Sequence, residues 1–391
     1  MRILLNFPYA LGRVGVGRTA LEQVEGLRDR GHDVLVSAPL LAPGLPSPVG
    51  VKILETRRVA GSLIPSRMLR TAALRLALHD RRTMAWLRRE NRSAPIDVLH
   101  SWPLSGVRTM REARSLGVTV LREAPNTHTA HAYDVVEREA ASLGLHIPVG
   151  NSHHRDPAHL RAEELEWALA NVILAPSDAV AESFREQGFS ADRVLRHRYG
   201  CTLGEQVAER ADGPLRVLFL GAAEPRKGLH HGLEAWRRSI ASREGTLQIA
   251  GTFMPGYREA IHDLLDSPSV CVLGFVAEPA ALLARADVLL LPSVEEGSAI
   301  VTYEAQAAGC IPLVSRAAGA HLEPGVHGFV HETGDVAELT RQLDRLATDP
   351  GQRRRMREAC TADRSRLGWD AAALALEQAY LTAAGRNRVH A

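Results

Sequence analysis

Apolar residues along the chain fall into short runs separated by helix-length amphipathic stretches, and that alternation predicts a parallel α/β protein. Residues 2–7 (RILLNF) read as a buried strand. A glycine turn follows, Gly12-x-x-Gly15-x-Gly17, then a helix from about Arg18 to Arg30 with Leu21, Val24 and Leu27 on one face and Gly31 where it stops. Residues 33–39 (DVLVSAP) form the next strand. Strand, glycine turn, helix, strand is the unit of a doubly wound sheet. Further strands are predicted at 96–100, 118–122 and 171–175.

The pattern breaks at 204–214 (GEQVAERADGP), a polar stretch ending in Gly213-Pro214, which predicts a linker. It restarts at 215–221 (LRVLFLG) and continues with strands at 247–251, 270–275, 288–293, 311–315 and 328–330. The chain therefore reads as two Rossmann-like domains. Parallel sheets bind ligands at the carboxyl ends of their strands, so two such domains facing each other would hold a ligand in the cleft between them.

Composition narrows the function classes. At 45% hydrophobic, 24% charged and a net charge of +2, the 391-residue chain reads as an ordinary globular protein with no basic footprint calling for nucleic acid. The N-terminal MRILLNFPYALG lacks the long apolar core and cleavage site of a secretory signal, and no run approaches a membrane span, so a cytoplasmic protein is expected. Cys201, Cys271, Cys310 and Cys360 have no zinc or redox spacing and read as reduced thiols. The pairs His153-His154 and His230-His231, and His128-x-x-His131, come without Asp-x-Asp or His-Glu-x-x-His, so no metal site is predicted. Residues 67–92 read as an arginine-studded helix. It is either a solvated face or a peripheral contact for anionic lipid or an acidic acceptor.

The strongest chemical signal is 289–315 (LLLPSVEEGSAIVTYEAQAAGCIPLVS). A buried strand ends in Pro292-Ser293, Glu296-Gly297 follows, and a helix is predicted to begin near Ser298. Its unpaired N–H groups and dipole make an anion site suited to a diphosphate, built around Gly297, Ser298, Ala299 and Ile300. Glu304, one to two turns on, could accept hydrogen bonds from vicinal hydroxyls such as a ribose presents. Two surface glutamates on an amphipathic helix would show the same spacing. Glu304, however, sits in an apolar run where an unpaired charge is costly. Glu295 is left without an assigned orientation.

The second signal is 217–236 (VLFLGAAEPRKGLHHGLEAW). A strand ends in Gly221, and a loop carries Arg226-Lys227-Gly228. Only Lys52 and Lys227 are lysine among the 47 basic residues, so a lysine at the top of a strand argues for phosphate neutralisation rather than an incidental basic turn.

These segments resemble the retaining, GT-B-fold glycosyltransferases of family 4, the group that includes glycogen-synthase-like and lipid-glycan mannosyltransferases. Pro292-Ser293-Val294-Glu295-Glu296-Gly297 through Glu304, with seven residues between the glutamates, resembles the family's glutamate block. Gly221 through Lys227-Gly228 resembles its G-R-x-x-x-x-K-G turn, with Ala222 replacing the arginine and Arg226 standing in for it. Gly274-Phe275-Val276 resembles the segment that meets the nucleotide base, and Gly15 and Gly17 the first-strand loop. Residues 367–383 resemble the helix that crosses back to the first domain.

The resemblance implies a GT-B fold with a first, acceptor domain over 1–205, completed by 369–391, and a donor domain over 206–368. It implies a nucleotide diphosphate sugar, with UDP-sugar the expected donor, transferred with retention to a hydroxyl-bearing acceptor. Arg226, Lys227 and the amides after Gly297 would stabilise the leaving phosphate, Glu296 would hold the donor sugar, and His128, with His131 second, would face it from the first domain. No Asp-x-Asp triplet occurs, so no bridging metal and no cofactor is expected. Loops 8–18, 56–70, 101–106 and 123–155 would set the acceptor, a cell-envelope glycan or lipid or a small secondary metabolite. Oligomeric state is left open. Two other readings stay open: another GT-B activity such as an epimerase or phosphorylase, and a non-catalytic sugar-nucleotide-binding subunit.

Overall fold

A computed structural model describes residues 1–59, 62–64, 71–204, 213–362 and 364–389, with side chains omitted at 59 and 387–389. Strands β1 (Arg2–Asn6), β2 (Asp33–Ala38), β3 (Lys52–Glu55), β6 (Val98–Ser101), β7 (Thr119–Glu123), β8 (Val172–Ala175) and β9 (Val194–Arg196) form one parallel sheet in the order β3-β2-β1-β6-β7-β8-β9. β4 (Arg58–Val59) and β5 (Ser62–Leu63) make a small antiparallel pair beside it. The second sheet holds β10 (Arg216–Leu220), β11 (Thr246–Ala250), β12 (Val270–Gly274), β13 (Val288–Leu291), β14 (Ile311–Ser315) and β15 (Phe329–His331), all parallel, in the order β12-β11-β10-β13-β14-β15.

Both sheets reverse their strand order beside the first strand, between β1 and β6 and between β10 and β13. A crevice opens at such a switch point, above the carboxyl ends of the strands. The central strands are buried on both faces, as β13 (VLLL) is at every position, which is why their sequences read as unbroken apolar runs. Each domain has its own core: Ile3, Leu5, Val36 and Leu121 in the first, Val217, Phe219, Leu290 and Leu313 in the second.

Helix Trp369–Val389 leaves the second domain and packs on the first, placing Leu376, Ala379 and Tyr380 in the first core. The Tyr380 hydroxyl meets His100 Nδ1 at 2.6 Å. Residues 390–391 of the expected returning segment, and 205–212 of the expected linker, lie outside the described residues. The helix expected over 67–92 runs Ala72–Ser93, and 67–70 lie outside the description. It buries Trp86 and Leu87, and two of its arginines find partners within the chain: Arg88 pairs with Glu112, and Arg82 donates to the Thr56 and Arg58 carbonyls. Among the described residues no helix is long and apolar enough to cross a membrane.

Candidate donor site in the interdomain cleft

A cavity of about 510 Å³ lies where the two switch points face each other. Gly15 from the β1 loop, Gly221 from the end of β10, Arg226, Lys227, Glu296, Gly297, Ser298, Ala299, Ile300 and Glu304 all line it. The residues singled out in the two motifs thus reach one space, although about seventy positions separate the motifs in the chain.

Local backbone constraints explain how. Gly228 ends the 3-10 turn Pro225–Lys227 at φ 64°, and a Cβ there would run into the Pro292 carbonyl. That contact holds the basic turn against the end of β13. Gly297 has no room for a Cβ because the Pro125 carbonyl of the first domain abuts it, while Ser177 Oγ donates to the Gly297 carbonyl. The two domains therefore touch through backbone at the glutamate block itself.

The helix after this block is Ile300–Ala307, starting two residues later than the sequence suggests. The Ser298 hydroxyl is engaged with the Tyr303 hydroxyl at 3.0 Å and the Gly319 carbonyl at 3.2 Å, which defers the helical turn. No side chain caps its first N–H groups, which leaves those donors at the cavity wall.

Charge is concentrated here. Arg226 reaches Glu224 at 3.0 Å, Glu295 at 3.2 Å and Glu296 at 3.0 Å, and Lys227 pairs with Glu296. Burial, together with the adjacent Arg226 guanidinium, pulls the Lys227 pKa down to about 7. Desolvation favours the neutral amine, and an arriving polyanion would restore the charge. Glu304 behaves differently. Its carboxylate has no hydrogen-bond or ion-pair partner among the described residues, and burial alone raises its pKa. A half-buried, unpartnered carboxylate in a cavity wall is an acceptor awaiting donors.

Glu295, unassigned in the sequence, is the interdomain latch. It is 1% exposed and accepts from Thr127 N at 3.2 Å and Thr127 Oγ1 at 2.6 Å, with His153 Nε2 at 3.2 Å. Burial pushes its pKa up, but hydrogen bonds from His153 and Thr127 and the Arg226 charge outweigh that and hold it well below the usual range. Asn151 adds a 3.3 Å contact to Glu224. No local motif flags His153 or Asn151; the only sequence signal is the adjacency of Glu295 to the block.

Other expected residues sit elsewhere. His128 does not line the donor cavity: its ring packs against Trp167 at 4.3 Å and Phe184 at 5.1 Å, and its Nδ1 accepts from Ala130 N to cap helix Thr129–Ser142. Burial lowers its pKa to about 4, which keeps the ring neutral. His131 meets Glu186 at 3.4 Å and is also outside the donor cavity. Gly17 opens on a neighbouring first-domain cavity. Gly274 ends the edge strand β12, and Phe275 and Val276 follow it. Phe275 is 80% exposed, Val276 packs inward near Leu218, and Pro279, three residues on, is what reaches the donor cavity.

A second cavity of about 350 Å³ opens in the first domain, walled by Tyr9, Trp102, Tyr133 and Trp167, with buried Arg122 and Glu163 paired at its floor. Val16, Trp102, Pro125 and Asn126 line both cavities, so the two are adjacent.

Two parallel-sheet domains flanking this cleft make a GT-B fold. The first domain matches the Glycosyltransferase Family 4 model over residues 14–196, and the second matches the Glycosyl transferases group 1 model over 214–349; the chain belongs to this family. It is 34% identical to glycogen synthase of Mycobacterium tuberculosis over 55% of this chain and 54% of that one, so it aligns with about half the length of that relative. It is 28% identical to D-inositol 3-phosphate glycosyltransferase of Frankia alni over 73% of this chain and 74% of that one. Anabaena HepE, solved in complex with UDP, superposes with a TM-score of 0.64 at 18% identity, covering 97% of this chain and 99% of HepE.

Proposed function

We propose that the protein transfers a hexose-type sugar from a UDP-sugar, with retention and without metal, to a hydroxyl of a cell-envelope glycan or lipid or a small secondary metabolite. The observation that carries the reading is one cavity that joins two half-buried basic side chains to an unpartnered carboxylate. The cations suit a diphosphate, and Glu304 suits the ribose hydroxyls. The base would extend toward the 274–279 segment. The family match and the UDP held by HepE support the donor class.

In this reading the incoming diphosphate takes Arg226 and Lys227 from Glu296. The freed Glu296 carboxylate then turns to the donor sugar. As the anomeric bond lengthens, negative charge grows on the leaving phosphate, where the two cations and the uncapped amides at the start of helix Ile300–Ala307 are aimed. The leaving phosphate oxygen takes the acceptor proton on the face it departs from, which preserves anomeric configuration. The acceptor occupies the aromatic-walled first-domain cavity and presents its hydroxyl past Asn126. Glu295, by bridging Thr127, His153 and Arg226, keeps the halves in register. In this reading the reaction takes place in the cytoplasm.

Calorimetric titration of the metal-free protein with UDP, GDP and ADP, then with the matching sugar nucleotides, tests this. UDP binding without added metal is the expected result. Absence of binding to all three would overturn the transferase reading and leave Ala222 as the mark of a lost site.

A further inference from the structure

Glu139 lies near the end of helix Thr129–Ser142 in the first domain, while His230 and His231 open helix Leu229–Arg238 in the second. Consecutive helical residues normally point about 100° apart. Here both imidazoles bring Nε2 to the same carboxylate oxygen, 2.6 Å and 2.7 Å from Glu139 Oε1, with ring centroids 4.0 Å apart. Among the described residues this is the one trio of His, Cys, Asp or Glu whose ligand atoms all lie within 4.8 Å of one another.

We propose that Glu139, His230 and His231 bind a divalent transition ion of the zinc type, and that the ion clamps the two domains. Two imidazole nitrogens and one carboxylate oxygen are an established zinc donor set. Bonds of about 2.0–2.1 Å would spread tetrahedral donors to roughly 3.3 Å apart, so each side chain withdraws by less than an ångström. Binding through Nε2 places the imidazole proton on Nδ1. For His230 that atom faces the Tyr257 hydroxyl at 2.9 Å, and the same hydroxyl accepts from His230 N at 3.1 Å. An outer partner of this kind fixes the ring orientation a ligand needs. Glu139 and His231 also line a cavity of about 480 Å³, which leaves a position for water as fourth ligand.

None of the three side chains lines the donor cavity, so the ion takes no part in the transfer chemistry. Its effect runs through the backbone. Lys227 precedes His230 by three residues, and anchoring the helix start to Glu139 holds the basic turn against the first domain. The ion therefore favours the arrangement in which the cleft is complete.

Titration of metal-stripped protein with Zn²⁺ by calorimetry, with Co²⁺ absorption as a geometric readout, tests the proposal independently of nucleotide binding. One ion per chain and a four-coordinate Co²⁺ spectrum are expected. His231→Asn and Glu139→Gln should each weaken Zn²⁺ by more than the roughly 10–100-fold that loss of an outer-shell partner costs. Zn²⁺ should also slow amide exchange over residues 225–238 in the wild type and not in the variants. Glu139→Gln keeps an oxygen acceptor for both histidines, which guards against simple misfolding. Sub-stoichiometric zinc, or equal affinity in wild type and variants, would assign binding to other histidines of the seventeen and overturn the site.

Discussion

The two walls of the cleft are made of different material. The second domain presents charge: Arg226, Lys227, Glu296 and Glu304 come from two short segments, each pinned by a glycine that tolerates no side chain. The first domain presents surface: Tyr9, Trp102, Tyr133 and Trp167 come from four separate segments and surround a deeper hollow. Fixed charge suits a partner whose chemistry never varies, as a diphosphate does. An aromatic wall assembled from loops suits a partner that differs from one relative to the next. Under the proposed function the donor is therefore written in motifs and the acceptor in shape.

That contrast can be broken by substitution on the charged side. Lys227→Ala is expected to lower kcat/KM on the order of 10²–10³-fold, about 3–4 kcal/mol, the cost of removing one preorganised partner of a developing anion. Glu304→Ala should weaken UDP by roughly 10–100-fold, the value of charge-assisted hydrogen bonds to two hydroxyls. Glu304→Ala should nevertheless leave the unfolding temperature undiminished, because the carboxylate it removes is unpartnered in the free protein. Calorimetry and a thermal melt check both halves, and unchanged UDP affinity in either variant would sink the site assignment.

A smaller effect sharpens the picture. Lys227 has its pKa lowered to about 7, so above that pH the free protein holds it neutral and a diphosphate must recruit a proton on binding. UDP affinity should fall as pH rises through and above 7, by up to tenfold per unit, about 1.4 kcal/mol. Lys227→Arg, whose charge persists, should flatten that slope; a slope that survives the substitution would place the proton elsewhere.

On the first-domain side the expected effect on donor binding is smallest. His128→Ala should cost roughly 2–4 kcal/mol of stability, through the lost cap and the cavity left beside Trp167 and Phe184, and leave UDP affinity unchanged, as read by denaturant titration and calorimetry. A large loss of turnover with an unchanged melt would return His128 to the chemistry.

Legibility followed the same division. Buried central strands and the two glycine-anchored motifs showed in the sequence because each is local: an apolar run, a spacing, a lysine in an arginine-rich chain. Strands β3 and β9 did not, being short edge strands of four and three residues with little buried alternation. The ring of His128 packs on Trp167 and Phe184, which lie about forty and fifty-six positions away, so no window around it could reveal those surroundings. Glu295 and Glu296 are adjacent and chemically identical, and only the approach of Thr127 and His153 from the other domain decides which one latches and which one meets Lys227.

Helix Trp369–Val389 inserts Leu376 and Tyr380 into the first core from the far side of the second domain. During synthesis this makes the first domain a structure with a missing part. At roughly 5–20 residues per second, some ten to forty seconds separate the last strand of its sheet from the helix that seals it. Through that interval the apolar groove awaiting the helix faces solvent, while the second domain is being made. The domain translated first is thus the one that matures last, and the nascent chain's exposure to chaperones is set by the time needed to make its neighbour.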